Sequence, residues 1–172
     1  MSINIKWDGD CRFKVSTEGG FTFNVDATIE TAPCPTEVLL SALGSCSATD
    51  VVLLLQDQGF EVKGLENKVT FALTESEPRL YKSANLHFTV NGSGFKESDI
   101  LRAAQEAVEK HCHVCLMLSP TIDITCSAEV GKIALNKAFK RDSQRLAVLV
   151  QSLAFVFMAQ WFKLGRIALF TP

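Results

Sequence analysis

The sequence lacks the features that mark several classes of protein. Its 172 residues include six cysteines, far below the density of a small disulfide-stapled secreted domain. The first residues show no basic stretch followed by an apolar one, so we predict no signal peptide and expect a cytoplasmic protein with reduced thiols. There is no internal repeat, no phosphate-binding GxxxxGK(S/T) motif and no nucleic-acid-binding motif, so we expect neither a cofactor nor a nucleic-acid partner.

The net charge is also small, at −2, but it conceals two regions of opposite sign. Residues 1–130 contain 10 basic and 18 acidic residues, whereas residues 131–172 contain seven basic residues and one acid, Asp142. A charge asymmetry of this kind is typical of a domain boundary. With 47% apolar residues the chain can form a real core. We therefore predict one domain over residues 1–130 and a separate extension over 131–172.

The pattern within residues 1–130 predicts an α+β fold. Apolar residues alternate with polar ones in three short runs before residue 30, in two longer runs over residues 60–92 and in a last run near residues 121–130. Ser98 and Asp99 begin a helix that we predict to reach about Lys110, and a short helix follows it. The order is βββ-α-ββ-α-α-β, with helices against an antiparallel sheet.

The segment from Val38 to Leu55 contains one acid, Asp50, and no base. It is apolar on nearly every face, which predicts a long central helix buried on all sides. Its length approaches that of a membrane span, but the polar residues Ser45, Thr49 and Asp50 argue against that interpretation. Seven of the eight residues over 41–48 are small, which indicates close packing by another backbone or a ligand.

These motifs resemble the OsmC/Ohr family, the osmotically inducible and organic hydroperoxide resistance proteins. The stretch from Pro35 to Val52, with Cys46 at its centre, is similar to the central-helix signature of that family, and Glu109 to Val114, around Cys112, resembles its second cysteine motif. The segment Trp7–Asp10 is similar to the family as well. Two further segments, Arg79–Tyr81 and Asn85–Phe88, resemble the YhfA-like branch most.

The resemblance implies an OsmC-like fold and an intertwined homodimer with the active site at its interface. It also implies a peroxidase in which Cys46 attacks an organic hydroperoxide as a thiolate and becomes a sulfenic acid. Cys112 would then condense with Cys46 to form a disulfide. A dithiol reductant such as a lipoylated protein would reduce that disulfide. The residues leave a second interpretation open, a non-catalytic dimer whose pocket over Ser45–Ser47 binds a small apolar ligand or senses oxidants.

The residues that activate the thiolate in the family match this chain less well. The peroxidases of the family use an arginine held by a glutamate that directly follows the helix-start proline, and Thr36 occupies that position here. Glu37 is the nearest acid, but it lies nine positions before Cys46, which places it on the opposite side of the helix. Arg12, after the Trp7–Asp10 segment, is the candidate cation. The predicted catalytic set is therefore Cys46, Cys112 and Arg12.

The segment His111-Cys112-His113-Val114-Cys115 also raises the question of a metal site. Zinc prefers cysteine and histidine ligands, but a structural site needs a second ligand pair. Because Cys11, Cys34 and Cys126 are isolated in the sequence, we predict packing or surface roles for them and no bound metal.

The extension has no counterpart in the family motifs. A basic, polar stretch precedes residues 146–162, which are free of charge. Four interpretations compete: a helix packed on the domain, membrane contact through residues 146–162, a partner-binding helix, or residues without a role.

Overall fold

The computed structural model describes residues 2–131. These residues form six strands, three α-helices and one π-helical turn: β1 (Ile3–Trp7), β2 (Arg12–Thr17), β3 (Thr22–Asp26), α1 (Pro35–Asp57), β4 (Glu61–Leu73), β5 (Tyr81–Ser93), α2 (Glu97–Glu106), the π turn (Ala107–His111), α3 (His113–Leu118) and β6 (Asp123–Val130). The α+β class and the order of elements are confirmed. The predictions for residues 132–172, including membrane contact through 146–162, lie outside the described residues.

The strands form two separate three-stranded sheets, ordered β1-β2-β3 and β4-β5-β6. The first sheet is antiparallel throughout, as its alternating pattern predicts. Several of its apolar side chains are exposed, among them Ile3 (66%), Trp7 (65%) and Phe21 (77%). Within one chain the first sheet therefore leaves a large apolar surface in contact with solvent.

The second sheet corrects the prediction that all strands are antiparallel. β4 pairs with β5 in antiparallel register, but β6 runs parallel to β5, with Leu86 opposite Cys126. The reason is topological, since the chain passes through α2, the π turn and α3 before it returns to the sheet. A crossover of this length brings the next strand back in the same direction.

The core lies where α1 and α2 cover the second sheet. Phe88, Leu86, Leu43 and Ile100 are fully buried there. α1 is longer than predicted and is not buried on all sides, since Leu53, for example, remains 52% exposed. α1 is the one described helix with the length and composition to cross a membrane, a criterion that the core helix of a globular domain also meets.

The small residues of α1 serve a close contact with β4. A Cβ atom added to Gly44 would lie 2.7 Å from Cγ2 of Val69, so only glycine fits this position without a shift. The Nδ2 atom of Asn67 donates to the Gly44 carbonyl at 2.8 Å. The buried hydroxyl of Ser47 donates within the helix to the Leu43 carbonyl at 2.9 Å. These contacts hold the middle of α1 against the sheet and orient its opposite face toward the helices.

Asp26 organises the connection that leads from the first sheet into α1. Its buried carboxylate accepts hydrogen bonds from the Thr28 hydroxyl at 2.6 Å and the Thr28 N–H at 2.9 Å. It also accepts from the Thr31 hydroxyl at 2.8 Å and the Thr31 N–H at 3.1 Å. The hydrogen bonds from Thr28, with those from Thr31, hold the pKa of Asp26 far below its ordinary value of 3.8.

This depressed pKa predicts a component of stability that acid removes. The carboxylate stabilises the folded state fully above its unfolded pKa, and that contribution disappears as the pH falls from about 5 toward 2. The variant Asp26→Asn should be less stable at pH 7, and its free energy of unfolding should vary less over this acidic range. Denaturant unfolding at a series of pH values measures both effects. Asp123→Asn, at an exposed carboxylate on β6, is the control, and an equal flattening in it would contradict the prediction.

Candidate active site

Three polar side chains meet between α1 and the segment that joins the π turn to α3. The Sγ atoms of Cys46 and Cys112 and a carboxylate oxygen of Asp50 all lie within 4.8 Å of one another. Cys46 and Asp50 are four residues apart on α1 and so occupy the same helix face. The structure therefore brings together the two cysteines that were predicted to react and adds an acid that was not.

Cys112 occupies a junction between two helical segments. Its backbone N–H donates to the Ala107 carbonyl at 2.8 Å and closes the π turn. Its Sγ atom accepts a hydrogen bond from the backbone N–H of Cys115 at 3.4 Å, which caps α3. Held from both sides in this way, the Cys112 side chain points into the core, where it is fully buried.

The two thiols of the pair differ in environment. Cys46 is half-buried, whereas Cys112 is completely enclosed. Burial raises the pKa of the Cys112 thiol above 9.0, the neighbouring Cys46 adds to the rise, and the Cys115 N–H opposes it. At neutral pH Cys112 is thus a protonated thiol, and Cys46 is the sulfur of the pair that solvent can reach.

Cys115 is a third thiol beside the pair. It is fully buried, and burial raises its pKa well above the usual range. The thiols of Cys112 and Cys46 and the charge of Asp50 contribute further to that rise. His111 and His113, which flank Cys112 in the sequence, are exposed. The histidines therefore do not share the enclosed environment of the cysteines.

The structure places Arg12 at the start of β2 in the first sheet, and its described hydrogen bonds and ion pairs do not include Cys46 or Cys112. Its guanidinium forms an ion pair with Asp10 at 3.0 Å, while its Nε atom is buried and has no hydrogen-bond partner among residues 2–131. The role of Arg12 stays a prediction.

Among residues 2–131, neither Thr36 nor Glu37, the candidates at the start of α1, is hydrogen-bonded to Cys46 or Cys112. The Glu37 carboxylate accepts from the Cys34 N–H at 2.9 Å and caps the first turn. The Thr36 hydroxyl donates to Cys34 Sγ at 3.3 Å. Both side chains are exposed and are engaged in the helix start.

A cleft of about 470 Å³ lies on another side of α1, between that helix and β4. Ser41, Gly44, Ser45 and Ala48 form its helical wall. Of the three residues proposed to line a ligand pocket, the structure places Ser45 in this cleft, whereas Ser47 is buried against Asn67 and Cys46 faces Cys112. The apolar residues opposite the helix are Leu65, Val69 and Phe71.

Sequence reasoning missed Asp50 as a member of the site and considered Cys115 only in connection with a metal site. The signal for Asp50 was present, since it is the one charged residue of the apolar run and lies one helical turn after Cys46. The isolated cysteines are placed as predicted: Cys11 is exposed, and Cys34 and Cys126 are partly buried.

Comparison with known proteins identifies the family of the chain. The profile of the family described as OsmC-like protein matches residues 27–127. Protein YhfA of Escherichia coli K12 is 38% identical over 131 residues, which cover 76% of this chain and 98% of YhfA. A hypothetical protein of Aquifex aeolicus superposes with a TM-score of 0.67 at 26% identity, over 75% of this chain and 94% of its own.

A more distant neighbour shares the fold. It is a Legionella pneumophila protein named as an organic hydroperoxide resistance protein OsmC, with a TM-score of 0.59 at 15% identity over 76% of this chain and 98% of its own. The profile match, the similarity to YhfA and the superposed folds lead to one conclusion: the chain belongs to the OsmC-like protein family.

Proposed function

We propose that the protein is a thiol-dependent peroxidase that reduces organic hydroperoxides in stress defence in the cytoplasm. The observation that supports this most directly is the approach of the Cys46 and Cys112 sulfurs to within 4.8 Å. Two free thiols whose sulfurs lie this close can form a disulfide once their side chains bring them to the S–S bond length of about 2.05 Å. The name of the Legionella protein supports the choice of substrate class.

The chemistry proceeds in three balanced steps. The Cys46 thiolate attacks the terminal peroxide oxygen, the O–O bond breaks, and an alcohol leaves after it takes up a proton, with a sulfenic acid left on Cys46. The Cys112 thiol then displaces water from that sulfenic acid and forms the Cys46–Cys112 disulfide. A dithiol reductant supplies two electrons and two protons that restore both thiols. Burial of Cys112 protects the resolving thiol from solvent until the sulfenic acid forms beside it.

The functional unit in this proposal is a homodimer. The exposed apolar residues of the first sheet, such as Ile3 and Trp7, support it, because a second copy of the chain would cover them. In such a dimer the first sheet of one chain would carry Arg12 toward the thiols of the other, where a guanidinium stabilises a thiolate. Light scattering after size-exclusion chromatography tests the dimer.

The decisive experiment for the activity maps the thiols after reaction with peroxide. The reduced full-length protein is treated with one equivalent of cumene hydroperoxide and digested, and its disulfides are identified by mass spectrometry. We expect a Cys46–Cys112 disulfide as the main product, with Cys11, Cys34 and Cys126 still reduced. Absence of that disulfide, or pairing of Cys46 with an exposed cysteine instead, would rule the mechanism out.

A non-catalytic role is the second candidate, and the cleft between α1 and β4 favours it. Its apolar wall and its hydroxyl-bearing helix suit a small apolar ligand with a polar end. An assay of hydroperoxide consumption distinguishes the two functions. A protein that consumes no hydroperoxide in the presence of a dithiol, and that co-purifies with a small molecule, is a binding protein.

A further inference from the structure

Asp50 is the unexplained member of the cluster on α1. Its carboxylate is half-buried, and among residues 2–131 it has neither a hydrogen bond nor an ion pair. Its charge also opposes the ionisation of the buried Cys115 thiol. A half-buried carboxylate beside two thiols is a set of ligand atoms that a cation can join.

We propose that Cys46, Asp50 and Cys112 form a binding site for a thiophilic divalent cation, of which Zn²⁺ is the natural case. Two thiolates and a carboxylate are ligands that zinc accepts together. Binding would release the two thiol protons, and the site with its metal would carry one negative charge. The site uses the two sulfurs of the proposed peroxidase, but zinc binding by the reduced protein does not require that the protein reduces peroxides.

The distances suit a tetrahedral ion. With Zn–S bonds of about 2.3 Å, two sulfurs on one zinc ion lie roughly 3.8 Å apart, and a sulfur and an oxygen lie slightly closer. The three ligand atoms here are within 4.8 Å of one another before any metal binds. Side-chain adjustment by about 1 Å or less therefore completes three of the four positions.

The backbone holds these ligands in place. Cys46 and Asp50 lie on consecutive turns of one long helix, and Cys112 is fixed at the junction of the π turn and α3. The Cys112 side is closed by the core, whereas Cys46 and Asp50 are partly exposed. A cation can thus enter from the α1 side, where the fourth position is left to water. Three protein ligands and one exchangeable position are the arrangement of an open zinc site.

The test uses the reduced full-length protein and Zn²⁺ in competition with a chromophoric chelator. We expect one zinc ion per chain and a rise in Tm on binding. Cys46→Ser and Cys112→Ser should each lower the affinity at least about a hundredfold, since even indirect partners of a zinc ligand contribute roughly 10–100-fold. Asp50→Asn should also lower it, and Asp50→Glu should restore part of the loss. Cys126→Ser, at a cysteine on β6, should bind zinc as the unchanged protein does.

A second measurement keeps the result independent of folding defects in the variants. Zn²⁺ should protect the partly exposed Cys46 of the unchanged protein from alkylation while Cys11 and Cys34 react as before. Failure of the unchanged protein to bind zinc would overturn the proposal. Equal affinity in Asp50→Asn, or unchanged alkylation of Cys46 in the presence of zinc, would overturn it as well.

Discussion

Replacement of Cys46 with serine should abolish hydroperoxide consumption, with a fall of at least about a thousandfold in a dithiol-coupled assay. The reason is that the Cys46 sulfur itself attacks the peroxide oxygen in the first step. A serine hydroxyl is scarcely ionised near neutral pH and does not attack a peroxide oxygen. Since serine is close to cysteine in size and Cys46 is only half-buried, the variant should keep its circular dichroism spectrum and its dimeric state.

Two other cysteines provide matched controls for that result. Cys126 is also partly buried but lies on β6, and Cys11 is exposed in the turn between β1 and β2. Cys126→Ser and Cys11→Ser should consume cumene hydroperoxide within about twofold of the unchanged protein. Turnover above a tenth of normal in Cys46→Ser would mean that another thiol is the nucleophile. A comparable loss of activity in Cys126→Ser would mean that replacing a partly buried cysteine lowers activity by destabilising the fold.

The patterns that predicted most of the fold are local ones. Period-two alternation identified the strands because successive side chains of a strand point to opposite faces, and the long apolar run identified α1. The direction of β6 was not predictable in this way. Alternation is the same in parallel and antiparallel strands, and the direction follows from the crossover through α2 and α3. The exposed side of α1, with Leu53, was also missed, because composition does not reveal which apolar residues find a partner in the same chain.

The candidate site was also predictable only in part, because local patterns identify its residues but not how distant segments meet. Family motifs identified Cys46 and Cys112, although 65 residues separate them in the sequence. To predict that Asp50 approaches both sulfurs, one must know its helical spacing from Cys46 and the position of Cys112. The spacing can be read in the sequence, but the position of Cys112 cannot. That position depends on the π turn, which we had predicted as part of an ordinary helix ending near Lys110. One inserted residue in a helical turn redirects every side chain after it.

Replacement of Cys112 with serine should stop the cycle after its first step. Peroxide would still oxidise Cys46, but without the resolving thiol the sulfenic acid would persist, and steady-state turnover with a dithiol should fall by roughly 10–100-fold. Trapping with a sulfenic-acid reagent and mass spectrometry should find the adduct on Cys46. With excess peroxide the same residue should pass irreversibly to the sulfinic acid, which the unchanged protein avoids by forming its disulfide.

The pKa of Cys112 adds a test of its resolving role in the unchanged protein. Because burial raises that pKa above 9.0, the thiolate fraction at neutral pH is small and grows about tenfold for each unit of pH. Disulfide formation after the sulfenic acid should therefore accelerate steadily from pH 7 to 9, as rapid-mixing experiments with thiol quenching can follow. Cys115→Ser should retain this acceleration, since Cys115 is a neighbour of the pair and not a member of it. A Cys46–Cys115 disulfide and normal turnover in Cys112→Ser would instead identify Cys115 as the resolving thiol.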